Sequence, residues 1–289
     1  TTVNVQNWSG RILIDQRHKC VNIAQLAPAL NNLTEMGYLW ETHTTGYITT
    51  QLLSGYDLLL APRPYGTPWG WGELYQPSEL AAIMDFVQNG TGALFVLGAE
   101  KLPWWWPMAY RNHNDLTGWA GIDWYHWSYA GTTTRISGHA STEGVSSVTL
   151  PNCQAKVGCS GYAYPVIRDM TTSPNARGEP MLGCVQAGSG KVAAFTDHMS
   201  FGNSSWNSTD NALLFNGIIE WLLTPPDAHD MALMKLEAET HPDPKTYIKV
   251  ESTVANMGLS DETGVNVSLY VDGVPDNWTG PVKSINSFS

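Results

Sequence analysis

The sequence predicts an open α/β sheet with helices on both faces, followed by a partial β-sandwich. Three observations carry this. Short runs such as Ile12-Leu13-Ile14, Leu58-Leu59-Leu60 and Leu94-Phe95-Val96-Leu97 are apolar at every position, as strands buried on both faces must be. Between them, apolar residues recur at helical spacing, the alternation expected of strand–helix–strand units. From about Asp230 onward the period changes to two, which is the period of half-buried antiparallel strands.

Each element follows from local chemistry. Arg11-Ile12-Leu13-Ile14-Asp15 reads as the first strand. Ile23, Leu26, Leu30 and Leu33 mark a helix in which Pro28 is tolerable near the first turn, and Gly37 closes it. Residues 38–42 and 56–61 form the second and third strands. Pro77 and Glu79 open a helix carrying Leu80, Ile83, Met84 and Val87, which stops at Asn89-Gly90. Residues 93–98 are the fourth strand. Residues 101–140 are aromatic, Gly-rich and irregular, and read as a Trp-rich insertion. Strands follow at 145–150, 181–185 and 191–197, the last two joined by the hairpin signal Gly188-Ser189-Gly190. Ser208 or Thr209 caps a final helix with Leu214, Ile218, Trp221 and Leu222 on one face. Thr224-Pro225-Pro226-Asp227 breaks the chain. The expected division is therefore an α/β domain over 1–224, a linker over 225–229 and a β-domain over 230–289. The latter is short for a full sandwich of ~100 residues, so its remaining strands would lie beyond residue 289 or come from a neighbouring copy.

With 289 residues the length itself suggests about two domains. Charged residues make up only 14%, against roughly a quarter in ordinary domains, so the surface is unusually neutral. A net charge of −11 gives no basic face for phosphates, which excludes a non-specific nucleic-acid binder. No apolar run approaches the ~20 residues of a membrane-spanning helix. The opening Thr1-Thr2-Val3 reads as a processed chain. Asn-x-Ser/Thr acceptor triplets occur at Asn7, Asn32, Asn89, Asn203, Asn207, Asn266 and Asn277, an excess over chance that points to N-linked glycans and an extracellular or cell-surface location. Four cysteines in an exported protein favour disulfides, and four allow three connectivities. Cys153 and Cys159, six apart in what reads as a loop, are the natural local pair, which leaves Cys20 with Cys184. Metal-ligand spacing is lacking and no cofactor motif appears.

Particular stretches carry a resemblance. The opening Ile12-Leu13-Ile14-Asp15, the Ser54-Gly55-Tyr56-Asp57 step, Phe86–Val96, Gly138–Val145, Gly188–Asp197 and Asn216–Leu222 resemble the class I glutamine amidotransferase-like, ThuA-like group of flavodoxin-like domains. Residues 228–274 resemble the first half of a CARDB-type, immunoglobulin-like adhesion domain, on Asp230-Met231-Ala232-Leu233, Val254–Gly258 and Ser268–Gly273. The first resemblance implies a Cys nucleophile on the turn after the fourth strand, with a His and a carboxylate behind it. Here that turn is Gly98-Ala99-Glu100-Lys101, which supplies no nucleophile.

The residual catalytic expectation is a hydrolase cluster of Glu100, Asp197 and His198 at the sheet's carboxyl end; the plain alternative is that Asp197 caps its loop and His198 bonds locally. The other candidate set is aromatic. Eight of the thirteen Trp fall between 69 and 127; some of them read as a satellite aromatic core under the 101–140 stretch, and the remainder as an assembly interface or, second, a sugar-stacking surface, with Trp69, Trp71, Trp104, Trp105, Trp106, Trp124 and Trp127 as the candidates. The sequence thus predicts a non-catalytic, self-associating glycoprotein: a subunit of a surface layer or filament, or an adhesion module. Carbohydrate binding through exposed Trp is the alternative.

Overall fold

A computed structural model of the chain divides it into two compact units, Thr1–Pro225 and Pro226–Ser289. Residues 9–18, 22–64, 73–98, 110–171 and 178–225 are described, together with the backbone of 231–238, 250–256, 270–271 and 274–275. In the second unit, β11 (Met231–Ala238) pairs antiparallel with β12 (Val250–Asn256), and β13 (Tyr270–Val271) with β14 (Val274–Pro275).

The first unit is built on one mixed sheet of eight strands in the order β2-β1-β3-β4-β10-β9-β8-β6. Its first five members are parallel: β2 (Tyr38–His43), β1 (Gly10–Asp15), β3 (Leu58–Pro62), β4 (Ala93–Leu97) and β10 (Gly190–Phe195). The other three are antiparallel: β9 (Pro180–Ala187), β8 (Tyr164–Arg168) and β6 (Arg135–Ile136). The expected α/β class is observed, with helices on both faces.

Strand alternation sorts the core into two layers. Ile12, Ile14, Leu58, Leu60, Phe95 and Phe195 face one side and pack under α1 (Ala27–Glu35) and α5 (Asn211–Leu223). Leu13, Leu59, Ala61, Leu94, Val96 and Ala194 face the other, under α2 (Thr50–Leu53), α3 (Pro77–Gln88) and α4 (Arg111–Thr117). Every residue of β3 and β4 is buried, which is why their sequences carry no polar position. Pro28 stands in the first turn of α1, and Gly37 takes φ +85°, the left-handed geometry that ends a helix without a Cβ clash.

Two expectations are corrected. From residue 110 onward the 101–140 insertion is regular: it contains α4, the whole of the long strand β5 (Ile122–Thr133) and β6. The stretch read as a cysteine loop is the second half of β7 (Val148–Cys159), antiparallel to β5. Six residues of extended strand separate Cys153 from Cys159 by ~20 Å, against the ~7 Å limit for Cα atoms of a disulfide. Both are free thiols, as is Cys184. Cys184 faces the α1/α5 core, where its Sγ lies 3.9 Å from Ser141 Oγ, whereas Cys159 packs on the opposite core. Cys20 lies outside the described residues.

The β5–β7 hairpin straddles the sheet. Val148, Leu150 and Cys153 belong to the α1/α5 core, and Ala155 and Val157 to the opposite one. At the crossing point the backbone N–H of Asn152 donates to Asp197 Oδ2 at 3.0 Å, and Cys153 Sγ lies 3.1 Å from Thr196 Oγ1. β7 therefore passes over the carboxyl end of β10.

Candidate functional site

Open α/β sheets bind ligands beyond the carboxyl ends of their parallel strands. In this chain those ends are His43, Asp15, the Pro62-Arg63 step, Leu97-Gly98 and Thr196-Asp197-His198.

At β10 the space is filled. Asp197 and His198 are almost fully buried beneath β7. Asp197 Oδ1 accepts from Met199 N at 2.9 Å, capping the tight helical turn His198–Phe201, and its Oδ2 receives the Asn152 bond. His198 Nδ1 lies 3.0 Å from the Gly98 carbonyl oxygen. Asp197 thus caps its loop, and His198 contacts the end of β4. Glu100 lies outside the described residues. Gly98 is required by close approach: a Cβ there would stand 2.4 Å from the Thr196 carbonyl oxygen. Hence the residue directly after β4 cannot carry a reactive side chain while β4 and β10 keep their pairing.

The three described cysteines offer no thiolate. Burial pushes Cys153 and Cys159 up to about 12 and raises Cys184 further.

At β1 the carboxyl end holds a dense ionic cluster. Asp15, His18 and Glu79 are all fully buried. His18 Nδ1 lies 2.7 Å from Asp15 Oδ2, and its Nε2 faces Glu79 Oε2 at 3.5 Å, an electrostatic contact rather than a well-made hydrogen bond. Tyr75 donates its hydroxyl to Asp15 Oδ2 and stacks on the imidazole, with ring centroids 3.7 Å apart. Glu79 Oε1 accepts from Ile48 N at 2.9 Å and Arg17 Nη1 at 2.8 Å; its Oε2 accepts from Gln76 N at 2.9 Å as part of a capping box at the start of α3. Arg17 also pairs with Glu73 at 2.7 Å and lies over the Tyr47 ring. Burial opposes charge on His18, but hydrogen bonding and attraction from Asp15 and Glu79 outweigh it and hold the imidazolium up to about 9. Burial likewise opposes the Glu79 carboxylate, and His18 with the two backbone N–H donors outweighs it, to about 2. The cluster ties β1, the start of α3 and the 47–48 segment together. Its acid–base groups are shut off from solvent, so it has the build of an internal clamp.

Between these two ends, Arg63 adopts φ +61° at the end of β3, a left-handed conformation unusual for a residue with a side chain, and its N–H donates to Leu97 O at 2.9 Å. His113, on α4, is fully buried between Tyr110 and Trp124, and burial lowers it to about 3, so it is a neutral imidazole.

The aromatic candidates divide. Trp124 is corrected to a core residue: it is 2% exposed and its Nε1 donates to Thr117 Oγ1 at 3.0 Å. Trp127 is half-buried, donates Nε1 to Asp169 Oδ2 at 2.7 Å and lies beneath the Lys156 ammonium at 4.8 Å. Neither presents a free indole face. Trp69, Trp71, Trp104, Trp105 and Trp106 lie outside the described residues. Among the acceptor asparagines, Asn89, Asn203 and Asn207 are exposed. Asn32 is corrected: it sits within α1, half-buried, and its Nδ2 donates to Asn216 Oδ1 at 2.5 Å, so the nitrogen a glycan would occupy is already engaged. Asn7, Asn266 and Asn277 lie outside the described residues.

Sequence reasoning missed the His18 cluster. The signals were present in Asp15-x-x-His18 directly after a strand and Gln76-x-x-Glu79 at a helix start.

No helix of the described residues is long and apolar enough to cross a membrane, and none of their His, Cys, Asp and Glu side chains form a metal-ligating group of three. No family model and no curated protein sequence matches the chain. Solved structures do match in fold. The mmIFT52 N-terminal domain aligns with a TM-score of 0.57 at 15% identity, over 74% of this chain and 97% of that domain. The cytoplasmic protein STM1381 of Salmonella typhimurium LT2 aligns at 0.51 and 14% identity over 73% of this chain and 98% of its own length. Another cytoplasmic protein of Salmonella typhimurium, STM3548, aligns at 0.51 and 15% identity over 74% and 98%. At these identities the likeness is one of fold: the chain carries a mixed α/β domain built on a large, mostly parallel sheet, similar in architecture to these three proteins.

Proposed function

We propose that the chain is a non-catalytic structural subunit of an extracellular, N-glycosylated assembly, a surface layer or filament, or an adhesion module of such a surface. One observation carries the non-catalytic part: β7 lies across the carboxyl end of β10, and Asp197 and His198 beneath it are engaged by Asn152, Met199 and Gly98. A hydrolase of this architecture needs that end open to substrate. Burial of all three described cysteines as protonated thiols supports the same view.

The surface part rests on the low charge content and on the exposure of Asn89, Asn203 and Asn207. The second unit, which resembles part of a CARDB-type adhesion domain, would complete its sandwich with a strand from a neighbouring copy. Electron microscopy of native material combined with glycopeptide mass spectrometry tests this. Ordered polymers and hexose-bearing peptides containing Asn89, Asn203 or Asn207 are expected. A monomeric, sugar-free protein, or turnover of an amide or ester lost on substituting Asp197 or His198, would overturn it.

A further inference from the structure

One edge of the main sheet is blunted and the other is not. β6 ends the sheet with two residues, and very short edge strands are one way natural sheets avoid pairing with other chains. β2 ends it with six. Its register with β1 runs unbroken from Tyr38 to His43, so no bulge turns it away, and it contains neither lysine nor proline. The direction of its free groups follows from its engaged ones. Gly37 and His43 give their carbonyls to Ser9 N and Gln16 N on the β1 side, so Leu39 and Glu41, in phase with them, also face β1. Tyr38, Trp40 and Thr42 therefore aim their backbone N–H and C=O outward, and among the described residues these six groups have no partner.

We infer, resting on the self-associating function proposed above, that this edge joins two copies of the chain, β2 against β2, antiparallel about a two-fold axis at Trp40. Only outward-facing residues can exchange ladder bonds, so Tyr38, Trp40 and Thr42 must pair among themselves. An axis at Trp40 sets that residue opposite its own copy and Tyr38 opposite Thr42, and all six free groups are used. Moving the axis to Leu39 or Glu41 leaves two of the six unused. The side chains agree with this register. Trp40, half-buried and held by its Nε1 bond to Thr34 Oγ1 at 3.1 Å, meets its copy as an aromatic cross-strand pair. On the other face Glu41 stands opposite Leu39 rather than opposite a second carboxylate, and it already pairs with Arg11 at 2.9 Å. The edge thus complements itself, which selects a second copy as its occupant. A two-fold contact closes on a dimer, so a filament or layer needs a second contact, the role of the strand exchange proposed for the second unit. Six residues of edge make a small interface, weak alone and reinforced once another contact holds the copies together.

The test is sedimentation velocity of the full chain from about ten to several hundred micromolar. Physiological ionic strength screens the repulsion between two chains of net charge −11. Wild type should pass from monomer to dimer or larger species across that range. Thr42→Pro removes one outward N–H per copy, which an edge strand tolerates, and should weaken the association at least about tenfold. Leu39→Glu sets carboxylate against carboxylate and should weaken it, whereas Leu39→Lys faces Glu41 and should tighten it. The same two substitutions at Leu213, exposed on α5, change net charge equally and should show no such split. Near-ultraviolet circular dichroism confirms that each variant is folded. The inference is overturned if wild type stays monomeric throughout, if Thr42→Pro associates as well as wild type, or if Leu39→Glu and Leu39→Lys behave alike. Glycosylated polymers that persist unchanged in Thr42→Pro would sink this contact and spare the surface function; a β2 dimer with neither polymer nor sugar would do the reverse.

Discussion

The buried imidazolium of His18 makes a quantitative demand on stability. Its folded-state value is about 9 against an ordinary 6.5. A group raised on folding contributes stability that is fully present below its unfolded value and is lost as pH climbs through its folded one. Across this gap the contribution is about 3 kcal/mol at pH 6.5 and close to nothing at pH 9.5. For a unit of this length, that corresponds to roughly 6–12 °C in melting temperature. The experiment compares wild type with His18→Gln, which places no titrating group between Asp15 and Glu79, by thermal circular dichroism at both pH values. Wild type should melt well above the variant at pH 6.5, and the gap should close at pH 9.5. A gap of equal size at both pH values would refute the clamp, because the side chain would then be acting through packing alone. On the acid side the sign reverses: Glu79, lowered to about 2 from an ordinary 4.5, contributes stability present above pH 4.5 and lost as pH falls through 2. The two contributions describe one shared interaction and are not to be summed.

Two further outcomes are expected. Asn211, fully buried, accepts from Thr149 N and donates to the carbonyls of Thr149, Ser200 and Ser205; Asn211→Ala should cost about 3 kcal/mol by orphaning them, and a urea midpoint within error of wild type would contradict this. Native protein at pH 8 should resist iodoacetamide at Cys153, Cys159 and Cys184, and all three should alkylate in denaturant without reductant; a mass deficit showing any of them oxidised would contradict the free thiols.

The parallel half of the sheet was legible because its strands are buried on both faces and so contain only apolar residues. The hairpin was not. β7 contains Pro151-Asn152, which signals a turn in most contexts, yet among the described residues β5 is the one strand laddered with it, so the proline's missing N–H is tolerated on its other edge. β5 has one face against the core and a register shift in its middle, so its alternation breaks where a reader would look for it. The misread turn then made Cys153 and Cys159 look like neighbours. At the site, the missing nucleophile after β4 could be read directly from Gly98-Ala99. The His18 cluster could not, because it unites residues 15, 18, 75 and 79, whose proximity exists only once α3 has docked against the end of β1.

The strand that crosses the sheet end has a consequence for how the domain comes apart. Because β7 contributes side chains to the hydrophobic layers on both faces, neither layer can loosen without dragging on the other. Proteins of this layered architecture are free to open one helical flank locally while the rest persists. Here a single twelve-residue segment couples the flanks mechanically, so that partial opening is suppressed and disruption must be collective. A protease that needs a locally opened flank would then find its cleavage sites only when the whole unit gives way.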